Sequence, residues 1–402
     1  MFSSGLNSGR NNNYKFAYGF VVIILFGCYI ISPIISFYMS LLLIALVKVE
    51  SPLERFPFCF IIILSATSIY ASRIIGFAVG DDFYYVYMPV YNLIKNGNGI
   101  FGGYYSSGYE FLLPVVFKII TLFDFGFSEN ELLFIISFFI STLYYIWLEK
   151  YLVNDFDSEK KSLVISSAFM FFNFFLTGYM VRQALSTIFI LFALSVLGRK
   201  KYLAGIIFSL LAIFTHLSAL PILVIFYCYL YSPIIIKNII LGIIITASLS
   251  FSVIKNFVLS SGLLGVATYK FDFYNKELDT TVDNGYVVHM IVLLILSFFT
   301  VEERYKKYKM LIIYGAISYF FLMPIPLAAD RIMMPLTSFM LGVMVFIVSG
   351  KYSKLLAFSF IPYSIVRFLR IGPFYDGVGN TSYYLWHSYS WFGGVFNNIH
   401  FW

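Results

Sequence analysis

Apolar runs separated by short polar turns recur along the whole chain. Runs near 16–31 and 34–47 form a tight up-and-down pair joined at Pro33, and a third covers 57–79 after Lys48 and Arg55. Further runs fall near 131–149, 162–180, 183–198, 202–217, 218–231, 234–252, 286–300, 310–328, 332–349 and 354–370. At a 1.5 Å rise per residue these approach the thickness of a hydrocarbon layer, so the pattern predicts an all-α, polytopic integral membrane helical bundle of about 11–13 transmembrane helices. The run from Phe111 to Phe123 stands apart, being short and interrupted by Pro114 and Lys118. Counted as a span, it would put the basic loop at 150–161 and the Arg199–Lys201 cluster outside the cell; left out, both fall inside, as the positive-inside bias requires. It is expected as a re-entrant or interfacial helix on the external face.

The resulting organisation is a single transmembrane domain over 1–402, with external loops at about 80–130 and 253–285 and an aromatic periplasmic tail over 371–402. Arg10 and Lys15 precede the first apolar run as in a signal peptide. No small-residue cleavage site follows and a second run comes at once, so the segment is expected to stay as an anchor.

Composition narrows the class. The chain is 60% hydrophobic and 12% charged, which leaves no polar block large enough for a soluble domain. Its formal charge of +7 is scattered through short loops and reads as topology determinants, excluding nucleic acid as a partner. Cys28, Cys59 and Cys228 all lie in apolar runs without metal-ligand spacing, as small buried hydrophobes do.

Candidate chemistry gathers on the external side. Two apolar helices flank the Arg199–Lys201 turn, and their far ends carry Arg182 (with Gln183 beside it) and His216. Arg182 and Arg199 are roughly 24 Å apart along a helix, about one thin crossing, which puts Arg182 and His216 near one surface. Arg73 lies within the third run, two helical turns before Asp81 and Asp82; an intramembrane arginine needs a partner or a wet cavity. Glu110 opens the short run, where it could also serve only to complement a helix dipole. Arg331 follows Asp330, which could simply keep it company, and Arg367 and Arg370 read as interface anchors. The arginine bias of this face suits an anionic ligand, since the guanidinium is a planar, permanently charged fork. No HExxH, GxSxG, phosphate-binding glycine loop or zinc-spaced histidine set is present, so neither metal nor cofactor is expected. The tyrosines and phenylalanines concentrated in 83–109 and 373–392 suit sugar rings and membrane interfaces equally.

Taken in order, Arg73, Asp81/Asp82 with Tyr84, Tyr87 and Tyr91, then Glu110, Arg182–Leu185, His216–Leu220 and Asp330–Pro335 resemble the EpsG-like branch of the Wzy polysaccharide polymerases. RQAL with the spaced HLSAL carries most of that resemblance, which covers about 33–349; the GDD at 80–82 leaves open which aspartate matches the family's glycine–aspartate stretch. The resemblance implies a GT-C-like glycosyltransferase in the bacterial inner membrane, working at the periplasmic face without a cofactor. Its substrates would be undecaprenyl-pyrophosphate-linked oligosaccharides, used in O-antigen, capsule or exopolysaccharide synthesis. A chain-length regulator and a flippase of the same pathway would be its partners. It further implies Arg182 and Arg73 on the donor pyrophosphate with Arg331 as a third contact, and Asp82 or Glu110 as base. His216 would assist, while Asp81, Gln183 and Tyr87 would help to hold substrate. An O-antigen ligase using the same carrier and a non-enzymatic flippase are the competing readings.

Overall fold

The computed structural model describes residues 5–251 apart from 48, 50 and 77–80, residues 284–352 apart from 326, and isolated positions at 253, 355, 358–359, 362–363 and 366. Among these residues every regular element is a helix. The expected loop at 253–285 and the tail at 371–402 lie almost wholly outside the described residues, as do Arg367 and Arg370. Two compact units divide the chain, one built from 1–184 with 357–402 and the other from 185–356.

The first unit opens with α1 (Gly5–Ile31), apolar from Tyr18, and α2 (Pro33–Leu46). They are followed by α3 (Pro52–Ala71), α4 (Met88–Lys95), α5 (Leu112–Thr121) and α6 (Glu129–Trp147), which runs on through a widened turn to Asp155. α7 (Lys161–Phe171) and the single turn α8 (Leu176–Tyr179) complete it, and the unit boundary falls inside α9 (Val181–Leu197). α2, α3, α6 and α7 form its packed centre. Small hydroxyl side chains stitch these helices by bonding across to backbone: Ser166 donates to the Leu41 carbonyl at 2.9 Å and Ser162 to that of Val49 at 2.8 Å.

Three expected spans are corrected. The run at 57–79 is helical from Pro52 to Ala71 instead. Proline is pre-organised for a first helical turn and Glu54 complements its positive end, whereas Arg73 leaves the helix to meet a partner. The run at 162–180 breaks at Phe172, whose backbone is extended while its ring stacks at 4.2 Å on Tyr144. The run at 332–349 is likewise not one helix, because a wide turn over Pro335–Phe339 precedes its last part.

The second unit holds the rest of α9, then α10 (Tyr202–Thr215), α11 (Ala219–Tyr231), α12 (Ile234–Leu249), α13 (Asn284–Thr300), α14 (Lys306–Leu322), α15 (Ala328–Ile332) and α16 (Leu341–Ser349). α14 is its hub, packed by α11, α12 and α13. Tyr229 meets Ser318 at 2.6 Å and Tyr314 donates to Asn238 at 2.5 Å.

Helix surfaces identify the solvent. α10 turns Gly205 and Ala212 inward and leaves Leu203, Ile206, Ile207 and Leu210 exposed, an apolar stripe at helical spacing on the outside. Small residues inside and large apolar residues outside is the arrangement of a helix surrounded by lipid. Pro52–Ala71 and Glu129–Asp155, with 20 and 27 residues, are long enough to cross a bilayer. The other apolar helices, such as α9, α10, α11, α12 and α13, have 13 to 17 residues. This is a helical membrane protein. α5, with 10 residues, is a short separate helix as the interrupted run predicts; it packs against α4.

Candidate functional site

The stretch between α3 and α6 of the first unit carries one buried ion pair and the carboxylate of a second, whose arginine comes from α9. It begins where α3 ends. Asn130, in the first turn of α6, donates to the carbonyls of Ala71 (2.5 Å) and Arg73 (2.9 Å), fixing the exit of the chain from α3. Ser128 and Glu131 form a reciprocal capping box that holds that first turn in place.

Arg73 then reaches Asp81 through two parallel bonds, Nη1 to Oδ2 at 2.6 Å and Nη2 to Oδ1 at 2.9 Å. The carboxylate also accepts the backbone N–H groups of Gly76 and Phe83, both at 3.1 Å. Arg73 and Asp81 are 3% and 1% exposed, so this is a nearly saturated, dry clasp. Gly76 takes φ +78°, with the ring of Tyr84 lying where a Cβ would point. By bonding the N–H of Phe83, Asp81 also starts the wide helical turn of Phe83–Tyr87 that feeds α4. Asp82 is half-buried. Asp81 is thus the member of the acidic pair that clasps Arg73.

Tyr87, at the far end of that turn, belongs to the second pair. Arg182, in the first turn of α9, bonds Glu110 through Nη1, and its guanidinium lies over the rings of Tyr105 (4.2 Å) and Tyr87 (5.9 Å). Glu110 comes two residues before α5, so its partner is a side chain and not, as the capping alternative has it, only a helix dipole. The Glu110 carboxyl is 1% exposed and the Arg182 side chain 20%, which makes the arginine the face that a ligand meets. Unlike Arg73, Arg182 offers its carboxylate one nitrogen, and its Nε is buried without a hydrogen-bond partner among the described residues. Gln183, next along, is buried.

Tyr105 and Glu110 arrive on one irregular loop. Gly103, Ser106 and Gly108 all have positive φ, at 73°, 45° and 95°, and Ser106 does so despite its side chain. Burial pushes the Tyr105 hydroxyl well above its usual range, the neighbouring Tyr87 and Glu110 adding to the rise, so it stays a neutral ring beneath the cation. Behind this loop, α4 is locked to the end of α5 by Asp124, which accepts from Lys95 (2.8 Å), Tyr91 (2.5 Å) and the N–H groups of Gly126 and Phe127.

His216 and Arg331 are residues of the second unit. His216 ends α10, half-exposed, its N–H bonded to the Ala212 carbonyl at 2.9 Å. Arg331 lies in α15 after Leu327, a turn residue at φ +58°. Its neighbour Asp330 accepts from Tyr319 at 3.1 Å.

The residues that sequence reading passes over are Tyr105 and Asn130. Tyr105 was one tyrosine in a Tyr-rich stretch, without spacing to single it out; Asn130 sits inside the S-x-x-E box that announces α6. Among the described residues no group of His, Cys, Asp or Glu is arranged to hold a metal ion.

A model of the EpsG family matches residues 56–386 of the chain. No curated protein and no solved structure matches it.

Proposed function

This chain belongs to the EpsG family of polysaccharide-synthesis membrane proteins, and from that premise we propose that it polymerises lipid-linked oligosaccharide repeat units at the periplasmic face of the inner membrane. The growing glycan leaves undecaprenyl pyrophosphate and joins the non-reducing end of a new undecaprenyl-pyrophosphate-linked unit. The observation that carries this reading is Arg182, 20% exposed and lying over the Tyr105 ring beside a buried carboxylate.

The leaving group is a pyrophosphate, on which negative charge grows as the sugar C1–oxygen bond breaks. A preorganised cation at that place stabilises the transition state more than the ground state. Arg182 has its fork already oriented, and its ring support limits the rotamers that must be frozen on binding. The acceptor hydroxyl loses a proton as it attacks, and Glu110 stands one bond from Arg182 to receive it. Arg73, engaged in two bonds to Asp81, holds the turn that presents Tyr87 and thereby shapes the donor site. Asp82 is the alternative base, His216 an assisting group, Gln183 and Arg331 further substrate contacts, and α5 an interfacial wall beside the lipid.

A polymer-ladder assay in cells lacking the protein tests this reading. Wild type restores a ladder of chain lengths, while Arg182→Ala, present in the membrane at wild-type level, leaves single repeat units. A ladder that persists without the protein but stays unattached to its acceptor assigns the ligase reaction instead. Failure of any lipid-linked unit to reach the outer face assigns transport.

A further inference from the structure

The two ion pairs differ in a way that bears on how the reaction is timed. Asp81 is bonded by two guanidinium nitrogens and two backbone N–H groups, and both partners are buried. Glu110 takes one nitrogen of a guanidinium that is partly open and whose Nε donor is buried without a partner among the described residues. An orphaned donor on a charged group is a standing cost that a suitable anion would remove. The guanidinium Cζ lies over the Tyr105 ring at 4.2 Å, a contact that survives a turn of the fork about Cζ.

We propose that Glu110 is a substrate-released base: the donor pyrophosphate draws Arg182 off Glu110, and the carboxylate oxygen that Arg182 leaves then takes the proton of the acceptor hydroxyl. This deepens, and rests on, the polymerase reading of the same site. In balanced form, the acceptor oxygen bonds the donor sugar C1 as the C1–O bond to the pyrophosphate breaks. The electron pair leaves with undecaprenyl pyrophosphate, held by Arg182, and the hydroxyl proton moves to Glu110, then to water after product release. While Arg182 is engaged, its Nη1 occupies Glu110 Oε2; once the cation turns away, that oxygen can accept the hydroxyl proton. The base therefore becomes competent only with donor in place, which protects the lipid-linked unit from attack by water.

The test is pyrophosphate binding set beside turnover, on the full chain purified in detergent, with inorganic pyrophosphate as the binding probe. Glu110 competes with the probe for Arg182, so Glu110→Gln binds pyrophosphate roughly tenfold tighter than wild type while polymerising at least about a hundredfold more slowly. A residue that merely supports the fold would weaken both together. Glu110→Asp, which keeps the charge but withdraws it by one methylene, gives the same pair of changes in smaller measure and serves if the glutamine variant does not reach the membrane. Unchanged or weaker pyrophosphate binding in the variant that folds overturns the proposal. Should wild type bind pyrophosphate but build no ladder, it is the polymerase reading that fails instead.

Discussion

A double-mutant cycle on each ion pair measures how differently the two are built. Arg73→Met strands a carboxylate that is 1% exposed, with the N–H groups of Gly76 and Phe83 still bonded to it. Breaking a buried pair from one side costs about 3–5 kcal/mol, and those two remaining bonds put this case near about 3. Asp81→Asn removes the counter-charge of a guanidinium that is 3% exposed, again costing about 3 kcal/mol. The double variant has no buried charge left and loses about 3 kcal/mol in total, so the coupling is about 3 kcal/mol. At the second pair Glu110 is as buried as Asp81, but Arg182 is 20% exposed and gives it one bond in place of two, so the same cycle there returns a smaller coupling, about 2 kcal/mol. The assay is reversible unfolding in mild detergent, followed by circular dichroism, on the wild type and six variants. Equal couplings at the two pairs, or a larger one at Arg182–Glu110, would refute the reasoning that separates a clasp from an exchangeable contact.

Three more outcomes are expected. Gly76→Ala forces an L-residue to φ +78° and puts its methyl 3.0 Å from the Tyr84 ring, costing about 1–2 kcal/mol; adding Tyr84→Ala recovers the steric share but not the backbone share, as thermal midpoints in detergent will show. Although burial alone would raise Asp124, its bonds to Lys95, Tyr91, Phe127 and Gly126 outweigh that and hold it well below the usual carboxylate range. Because its folded-state pKa is depressed, its contribution is complete above the unfolded value of about 4 and is lost as pH falls below that. Asp124→Asn is therefore less stable than wild type at pH 7, with the gap closing below about pH 4 in acid-unfolding curves; a constant gap would show that the charge is not involved. Phe125, 95% exposed just past α5, becomes reactive to an impermeant maleimide from outside intact cells when replaced by cysteine, whereas Lys200→Cys reacts only after permeabilisation, and the reverse pattern would move the site to the cytoplasm.

Chain pattern alone determined the class of this protein. Apolar runs, short basic turns and sparse charge leave lipid as the only solvent in which such a chain buries its backbone polar groups, and helices as its means of doing so. Pro114 and Lys118 were enough to set α5 apart as short. The order of arginine, aspartates, glutamate and RQAL was enough to suggest the family. What pattern could not reach is which charges meet. Asp81 and Asp82 are adjacent and chemically identical, and only the turn at Gly76 decides that Asp81 faces Arg73. Helix ends moved for the same reason. Arg73 gains more from two bonds to a carboxylate than from another helical turn, and the Phe172 ring more from Tyr144 than from continuing α7. Glu110 and Arg182 lie 72 positions apart, and Tyr105 joins them through a loop whose positive-φ residues carry no periodic signal. Hydrophobic periodicity is a local, summed property and survives in one dimension. An ion pair is a short-range contact between distant positions, and the tertiary fold alone brings its two ends together.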